Sequence, residues 1–285
     1  MTTAAIDTQT GKRLSQLTFG GVLRSEWIKL ITLRSTLWCY LILIVLTIGL
    51  GLLLSLVRNP TLGGAISAEV QRATAVQAIT AGTSLGQLIV AVLGALVITG
   101  EYGTGMIRST LTAVPKRTPA LVAKALVFGV TTFVVALVSV AATALITAPL
   151  FPNVGVHVNI LDSRILLPLL GNAGYLALLG MLSLAIGAII RSSAGGIAAA
   201  LGLVLVVPTV LIIVYGVTQQ LWARNVDTFL PGSAGGKMYA YVPSHADPVT
   251  KGLITLDPTQ GTLVLVAWVV VVFVVAAVLL KRRDA

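Results

Sequence analysis

A chain of 285 residues that is 56% hydrophobic and only 10% charged, with a mean hydropathy of +0.99, has too little polar surface to cover a water-soluble globule; soluble domains carry about 25% charged residues. The composition points to an all-α, polytopic membrane protein. Its formal net charge of +10 and pI near 10.2 would suggest nucleic acid in a soluble protein, but here it is read as topology, because Lys and Arg collect in loops on the cytoplasmic side.

Residues 1–18 are polar and Thr-rich, without the apolar core and small-residue cleavage site of a signal peptide, and are expected to form a disordered cytoplasmic tail. Residues 19–36, FGGVLRSEWIKLITLRST, bring Leu23, Trp27, Leu30 and Ile31 to helical spacing, with Ser25, Lys29, Thr32 and Thr36 opposite. With Arg24, Glu26, Lys29 and Arg34 beside a tryptophan, this predicts an amphipathic elbow helix in the headgroup layer. The plainer alternative is a solvated face or the start of the first span.

Six apolar stretches follow, predicting spans at about 37–57, 80–100, 120–150, 165–190, 195–216 and 262–280. The apolar runs within them, the second starting at Ser84 and the third at Ala125, contain no Asp, Glu, Lys, Arg or His. The second run is short and should extend upstream past Ala78, and the third and fourth are long enough to tilt. Gly82 and Gly86 give a GxxxG pair, a pattern of close helix packing that is also common by chance. Pro208 should kink the fifth span. Cys39, the single cysteine, excludes an internal disulfide and reads as a small apolar residue in a helix.

Six spans put both termini on one side. That side holds 13 Lys and Arg: Lys12, Arg13, Arg24, Lys29, Arg34, Arg108, Lys116, Arg117, Lys124, Arg191, Lys281, Arg282 and Arg283. The other holds six, Arg58, Arg72, Arg164, Arg224, Lys237 and Lys251. With four and five acidic residues, the sides carry about +9 and +1, which predicts cytoplasmic termini. Among the connections, 58–83 looks partly helical around Arg72, and Asp162 can cap span four. The RSSAG turn makes a tight hairpin of spans four and five. The last outer loop, 217–261, carries apolar pieces, LWARNVDTFLP and MYAYV, that suggest short helices near the membrane surface. No internal repeat and no separate soluble domain stands out.

The most structured connection is 94–124, GALVITGEYGTGMIRSTLTAVPKRTPALVAK. Its glycines at 100, 103 and 105 should break the helix of span two. Thr104 can cap a short helix over 106–114 that Pro115 ends, and Thr118 followed by Pro119 starts the next. Such a loop suits docking of a partner better than a plain basic loop does. Glu101 stands where span two leaves the lipid, a costly place for a carboxylate unless it is paired. Its partner is Arg108, or a basic residue of another span or subunit, or else it is a solvated helix end.

Catalytic and nucleotide motifs fail on spacing. The segment from Gly232 to Lys237 lacks the first glycine and the final Ser or Thr of a phosphate loop, where Pro231 and Met238 stand instead. His157 and His245 have no metal-ligand spacing, and no GxSxG occurs. The chain therefore reads as neither an enzyme nor a metal binder. Spans free of ionisable residues do not suit an ion-driven carrier, so any transport takes its energy from elsewhere.

LRSEWIKLITLRSTLW before span one, and LGQLIVAVLGALVITGEYGTGMIRSTLTAVPKRTPALVAKAL across spans two and three, resemble permease subunits of ABC-2-type ATP-binding-cassette exporters. The likeness is greatest to the six-span permeases of high-GC Gram-positive bacteria. It implies a single membrane domain over 19–285 with an elbow helix before span one, and a coupling helix between spans two and three that contacts an ATPase. The family's glutamate corresponds to Glu101, its glycines to Gly103 and Gly105, and its basic residue to Arg108. The coupling set is thus expected to be Glu101, Tyr102, Gly103, Thr104, Gly105, Arg108, Leu111, Pro115, Lys116 and Arg117. The resemblance further implies a separate ATPase subunit that holds ATP and Mg, with no cofactor on this chain. It also implies a second permease copy, as homo- or heterodimer, and a cell-membrane location among lipids without nucleic acid. A non-transporting membrane scaffold or sensor partner of an ATPase is the alternative.

Overall fold

The computed structural model describes residues 18–57, 67–106, 118–243 and 251–282, and among these every regular element is helical. Helix α1 spans Phe19–Thr32, capped where the Gly21 amide donates to the Thr18 hydroxyl. It stops at Leu33, whose backbone is extended, and α2 follows at once over Arg34–Val57. Helix α3, Ala68–Ile79, starts at Ser67, whose hydroxyl accepts from the Val70 amide, with Glu69 in its first turn. A turn at 80–82 separates it from α4, Thr83–Gly103. Helix α5, Thr118–Thr147, tightens into a 3₁₀ segment, Ala148–Val154, which Gly155 ends at φ 74°. Asp162 caps α6, Ser163–Ile190, as the Arg164 amide donates to its carboxylate.

Arg191 turns the chain in the left-handed region, and α7 begins two residues later, covering Ser193–Thr218. Inside it, Gly202–Val206 winds as a π-helix just before Pro208, whose ring nitrogen has no proton for the usual carbonyl. Short helices α8, Leu221–Thr228, and α9, Pro231–Gly236, precede α10, Pro258–Arg282. Of the two apolar pieces in the 217–261 loop, the first is helical as expected. The second, MYAYV, forms a turn and irregular chain, and the glycine-rich piece before it is helical instead. His157 is exposed in its loop, and its amide donates to the Gln71 side chain. His245 and the tail 1–17 lie outside the described residues.

Six stretches are long and apolar enough to cross a membrane: Arg34–Val57, Ala68–Gly103, Thr118–Asn153, Ser163–Ile190, Ser193–Thr218 and Pro258–Arg282. The second does extend upstream of Ala78, with the turn at 80–82 inside it. The helices also run further than the apolar runs. Glu101 lies within α4 and Lys124 within α5.

Helix α6 is the centre of the bundle, with α4, α5 and α10 around it, and it is the most enclosed of the six; α7 is the most exposed. Tyr175, Leu179, Leu182 and Leu184 of α6 are fully buried with Phe128 of α5 and Leu93 of α4. Small residues set the spacing. A Cβ at Gly94 would strike the Gly180 carbonyl oxygen and come within 3.1 Å of the Ser183 side chain. Gly82 and Gly86 likewise face Thr47 and Leu43 of α2, so that GxxxG pair does mark a close helix contact. Polar side chains bridge the helices where lipid offers no partner. The Tyr40 and Thr132 hydroxyls lie 2.8 Å apart, and Tyr175 donates to Gln87 at 2.5 Å. On the end opposite α1, the Arg72 guanidinium meets Asp162 at 2.8 Å and ties α3 to the start of α6.

Gly94→Val should lower the melting temperature of the detergent-purified protein by the equivalent of about 1–3 kcal/mol, the usual cost of overpacking. Gly100→Ala should not, since a Cβ there meets nothing within 4 Å. Fluorescence-detected thermal unfolding compares the two. The Asp162 carboxyl is held below its ordinary value by the Arg164 amide and, against the opposing effect of burial, by the Arg72 charge. Its contribution is therefore present above the ordinary carboxylate range and is lost as pH falls through the depressed value. Melting curves below pH ~4 should show less acid dependence in Asp162→Asn than in the parent.

Candidate functional site

Four charged side chains from three helices meet at the α1 end of the bundle. On α1, Val22, Glu26 and Leu30 recur every four residues and form its buried stripe. Val22 packs on Ala120 and Ala123 of α5, which carries Glu26 toward the bundle. On α5 the same spacing aligns Ala120, Lys124 and Phe128, all buried. On α4 the buried stripe Gly94, Ile98 and Glu101 ends in the carboxylate. Three amphipathic stripes thus each contribute charge to one point.

The distances describe a closed network. Lys124 Nζ donates to Glu26 Oε2 at 2.5 Å and to Glu101 Oε1 at 2.8 Å. Lys29 Nζ donates to Glu26 Oε1 at 2.7 Å and to Glu101 Oε1 at 3.0 Å. Side-chain exposure is 3% for Glu26 and 5% for both Glu101 and Lys124, while Lys29 keeps 26%. Two acids and two bases cancel, which makes burial of the group tolerable; a single buried ion would cost several kcal/mol. Burial lowers the Lys29 pKa, but the Glu26 hydrogen bond and the charges of Glu101 and Glu26 outweigh it, and the net direction is upward. The ammonium groups are held as ion-pair partners of carboxylates, so the arrangement acts as a clamp on three helices.

A second tie lies beside the first. The Arg191 guanidinium, in the α6–α7 turn, sits over the Tyr102 ring at 5.3 Å from its centroid. The last turn of α4 therefore bears on α1, α5 and the α6–α7 hairpin together.

The expected site residues divide accordingly. Glu101 is buried rather than solvated, and among the described residues its partners are Lys124 and Lys29. Gly100 and Gly103 do not break α4, which continues through Gly103. The break comes at Thr104, whose hydroxyl donates back to the Gly100 carbonyl, and at Gly105, with φ 73°. A helical residue follows at Met106, and Arg108, Leu111, Pro115, Lys116 and Arg117 lie outside the described residues. Of the residues expected in an elbow helix, Glu26 and Lys29 join the cluster, whereas Arg24 and Trp27 of α1 are exposed and so is Arg34, which is the first residue of α2. The apolar set from the sequence does not pack as one face, because Leu30 is buried while Trp27 and Ile31 point outward. Lys124 escaped the sequence reading. Its only signal is its place four residues from Ala120 and Phe128, and a charge at a span boundary resembles any other.

Residues 21–285 match the family model described as ABC-2 family transporter protein. No curated protein matches the chain.

Removing both members of the Glu101–Lys124 pair should destabilise less than the two single removals added together. Lys124→Met should cost about 3–5 kcal/mol, the range for orphaning a buried charge. Lys29→Met, at the exposed edge of the cluster, should cost less. The double variant Glu101→Gln with Lys124→Met should fall short of the summed single effects, giving a coupling of about 0.5–3 kcal/mol in thermal unfolding.

Proposed function

Because the chain belongs to the ABC-2 transporter family, a group of transport permeases rather than catalytic domains, we propose that it is the membrane-spanning subunit of an ATP-driven exporter. It is a multi-pass protein of the cell membrane. ABC-2 permeases work with an ATPase subunit, and here that subunit is a separate chain carrying the ATP and Mg. The loop 101–118 receives its motion on the cytoplasmic side, the side the Lys and Arg count favours. Two permease copies flank the translocation pathway. The likeness to six-span permeases of high-GC Gram-positive bacteria fits this reading.

The observation that carries the proposal is the buried cluster at the root of that loop. A push on the segment after Gly105 reaches the last turn of α4, and Lys124 and Lys29 bind that turn to α5 and α1. A displaced loop would therefore move three helix ends as one body, the rigid-body kind of transition. A plain solvated glutamate at this point would transmit nothing. The elbow helix shares the motion through Glu26, and its outward Trp27 and Ile31 suit the lipid headgroup layer.

The test is purification of the tagged chain from its native membranes, with mass spectrometry for an ATP-binding-cassette ATPase. The complex is then placed in liposomes and its ATP hydrolysis measured. Glu101→Gln or Arg108→Glu should reduce permease-dependent hydrolysis about tenfold, about 1.4 kcal/mol in the activation barrier, while membrane insertion persists. Unchanged hydrolysis in both variants overturns the coupling role. An ATPase that binds but drives no transport in any substrate screen would favour the scaffold reading.

A further inference from the structure

A second charged site lies at the other end of the bundle, where the connection between α7 and α10 folds over itself. Arg224, Asp227 and Thr228 of α8, Ser233 of α9 and Lys237 just after α9 line a cavity of about 230 Å³ together with residues 253–255. Hydrogen bonds fix its walls. The Asn225 side chain donates to the Gly252 carbonyl at 3.0 Å and accepts from the Ile254 amide at 2.9 Å, which straps residues 252–254 to α8. Trp268 Nε1 of α10 donates to the Phe229 carbonyl at 2.9 Å and holds the end of α8.

Three charged side chains share this cavity, and among the described residues none of them forms an ion pair. Arg224 is exposed and lies over the Tyr215 ring, 5.1 Å from its centroid. Asp227 accepts from the Ser233 hydroxyl at 3.1 Å. Lys237 is half-buried and makes no hydrogen bond among the described residues. Two cations against one carboxylate leave a single positive charge, which one phosphodiester cancels. The hydroxyls narrow the ligand further. Ser233 spends its proton on Asp227, and Thr228 spends its own on the Arg224 and Ile254 carbonyls. Like the carboxylate, they have only acceptor capacity left. The ligand must therefore bring donors as well as negative charge.

The setting supplies the source. Trp222 and Val226 of α8 and Phe229 just after it recur at helical spacing and are exposed, while Arg224, Asp227 and Thr228 occupy the opposite face. A helix of this pattern lies in the headgroup layer with its apolar stripe toward the acyl chains. Its charged face is then level with the lipid phosphates. We propose that this cavity binds the headgroup of a phospholipid with one negative charge and free hydroxyls, of the phosphatidylglycerol kind. The phosphodiester meets Arg224 and Lys237, the residue types that suit phosphate. The hydroxyls donate to the Asp227 carboxylate and to the Ser233 and Thr228 oxygens.

Native mass spectrometry of the delipidated full-length chain tests this with dioleoyl phosphatidylglycerol, dioleoyl phosphatidylmethanol and dioleoyl phosphatidylcholine. Phosphatidylmethanol has the charge without the hydroxyls, and phosphatidylcholine has neither net charge nor hydroxyls. Phosphatidylglycerol should bind about tenfold or more tightly than either, the difference expected for one charge-assisted hydrogen bond. Lys237→Met should lower its binding about tenfold and leave the melting temperature unchanged. Lys251→Met, at an exposed lysine outside the cavity, should leave binding intact. Arg224→Gln takes the place of Lys237→Met if that variant misfolds. Equal binding of phosphatidylglycerol and phosphatidylmethanol, or binding of no lipid, overturns the proposal. So does undiminished affinity in Lys237→Met, or an equal loss in Lys237→Met and Lys251→Met, the mark of diffuse surface attraction. Displacement of the lipid by glycerol 1-phosphate at equal concentration also overturns it and points to a soluble phosphate ester.

Discussion

A carboxylate cannot remain charged away from water without a cation to answer it, and much of the α1 end of this protein follows from that constraint. Glu26 and Glu101 are both buried, and each needs Lys124. Satisfying both requires α1 to lie against α5 and the last turn of α4 to stay helical past Gly100. The small side chains Ala120 and Ala123 let α1 approach closely enough. The network is thus the reason α1 has a defined seat against the bundle.

The same cluster explains why a helix carrying large apolar residues shows them outward. In water Trp27, Ile28 and Ile31 would be the residues to bury. In a bilayer they need no cover, whereas charges do. The exposed apolar faces of α2, α7 and α10 follow the same rule.

The sequence carried the helical class and the number of spans, because a bilayer demands long runs without charge and such runs are visible one residue at a time. The Asp162 cap and the Gly82–Gly86 contact were also legible, each resting on local spacing. The partner of Glu101 was not. Lys124 is 23 positions away and reaches Glu101 only through the packing of α4 on α5. Likewise the glycines after span two look like breakers in isolation, yet α4 holds through Gly103 because the cluster below it holds Glu101. Helix ends here are set by tertiary charge pairing, which overrides the local preference of glycine.

Helix α6 is the most enclosed span and Ala68–Gly103 the next, and these two are also the least apolar of the six. The spans that lipid solvates best are the ones left on the outside. This ordering bears on biogenesis. Strongly apolar spans are secured by the bilayer itself, whereas weaker ones are retained by neighbours already inserted. The central helix is therefore the one whose residence in the membrane depends most on assembly of the rest, so a packing defect along the Gly94–Gly180 contact would show up as a failure of integration as well as of stability.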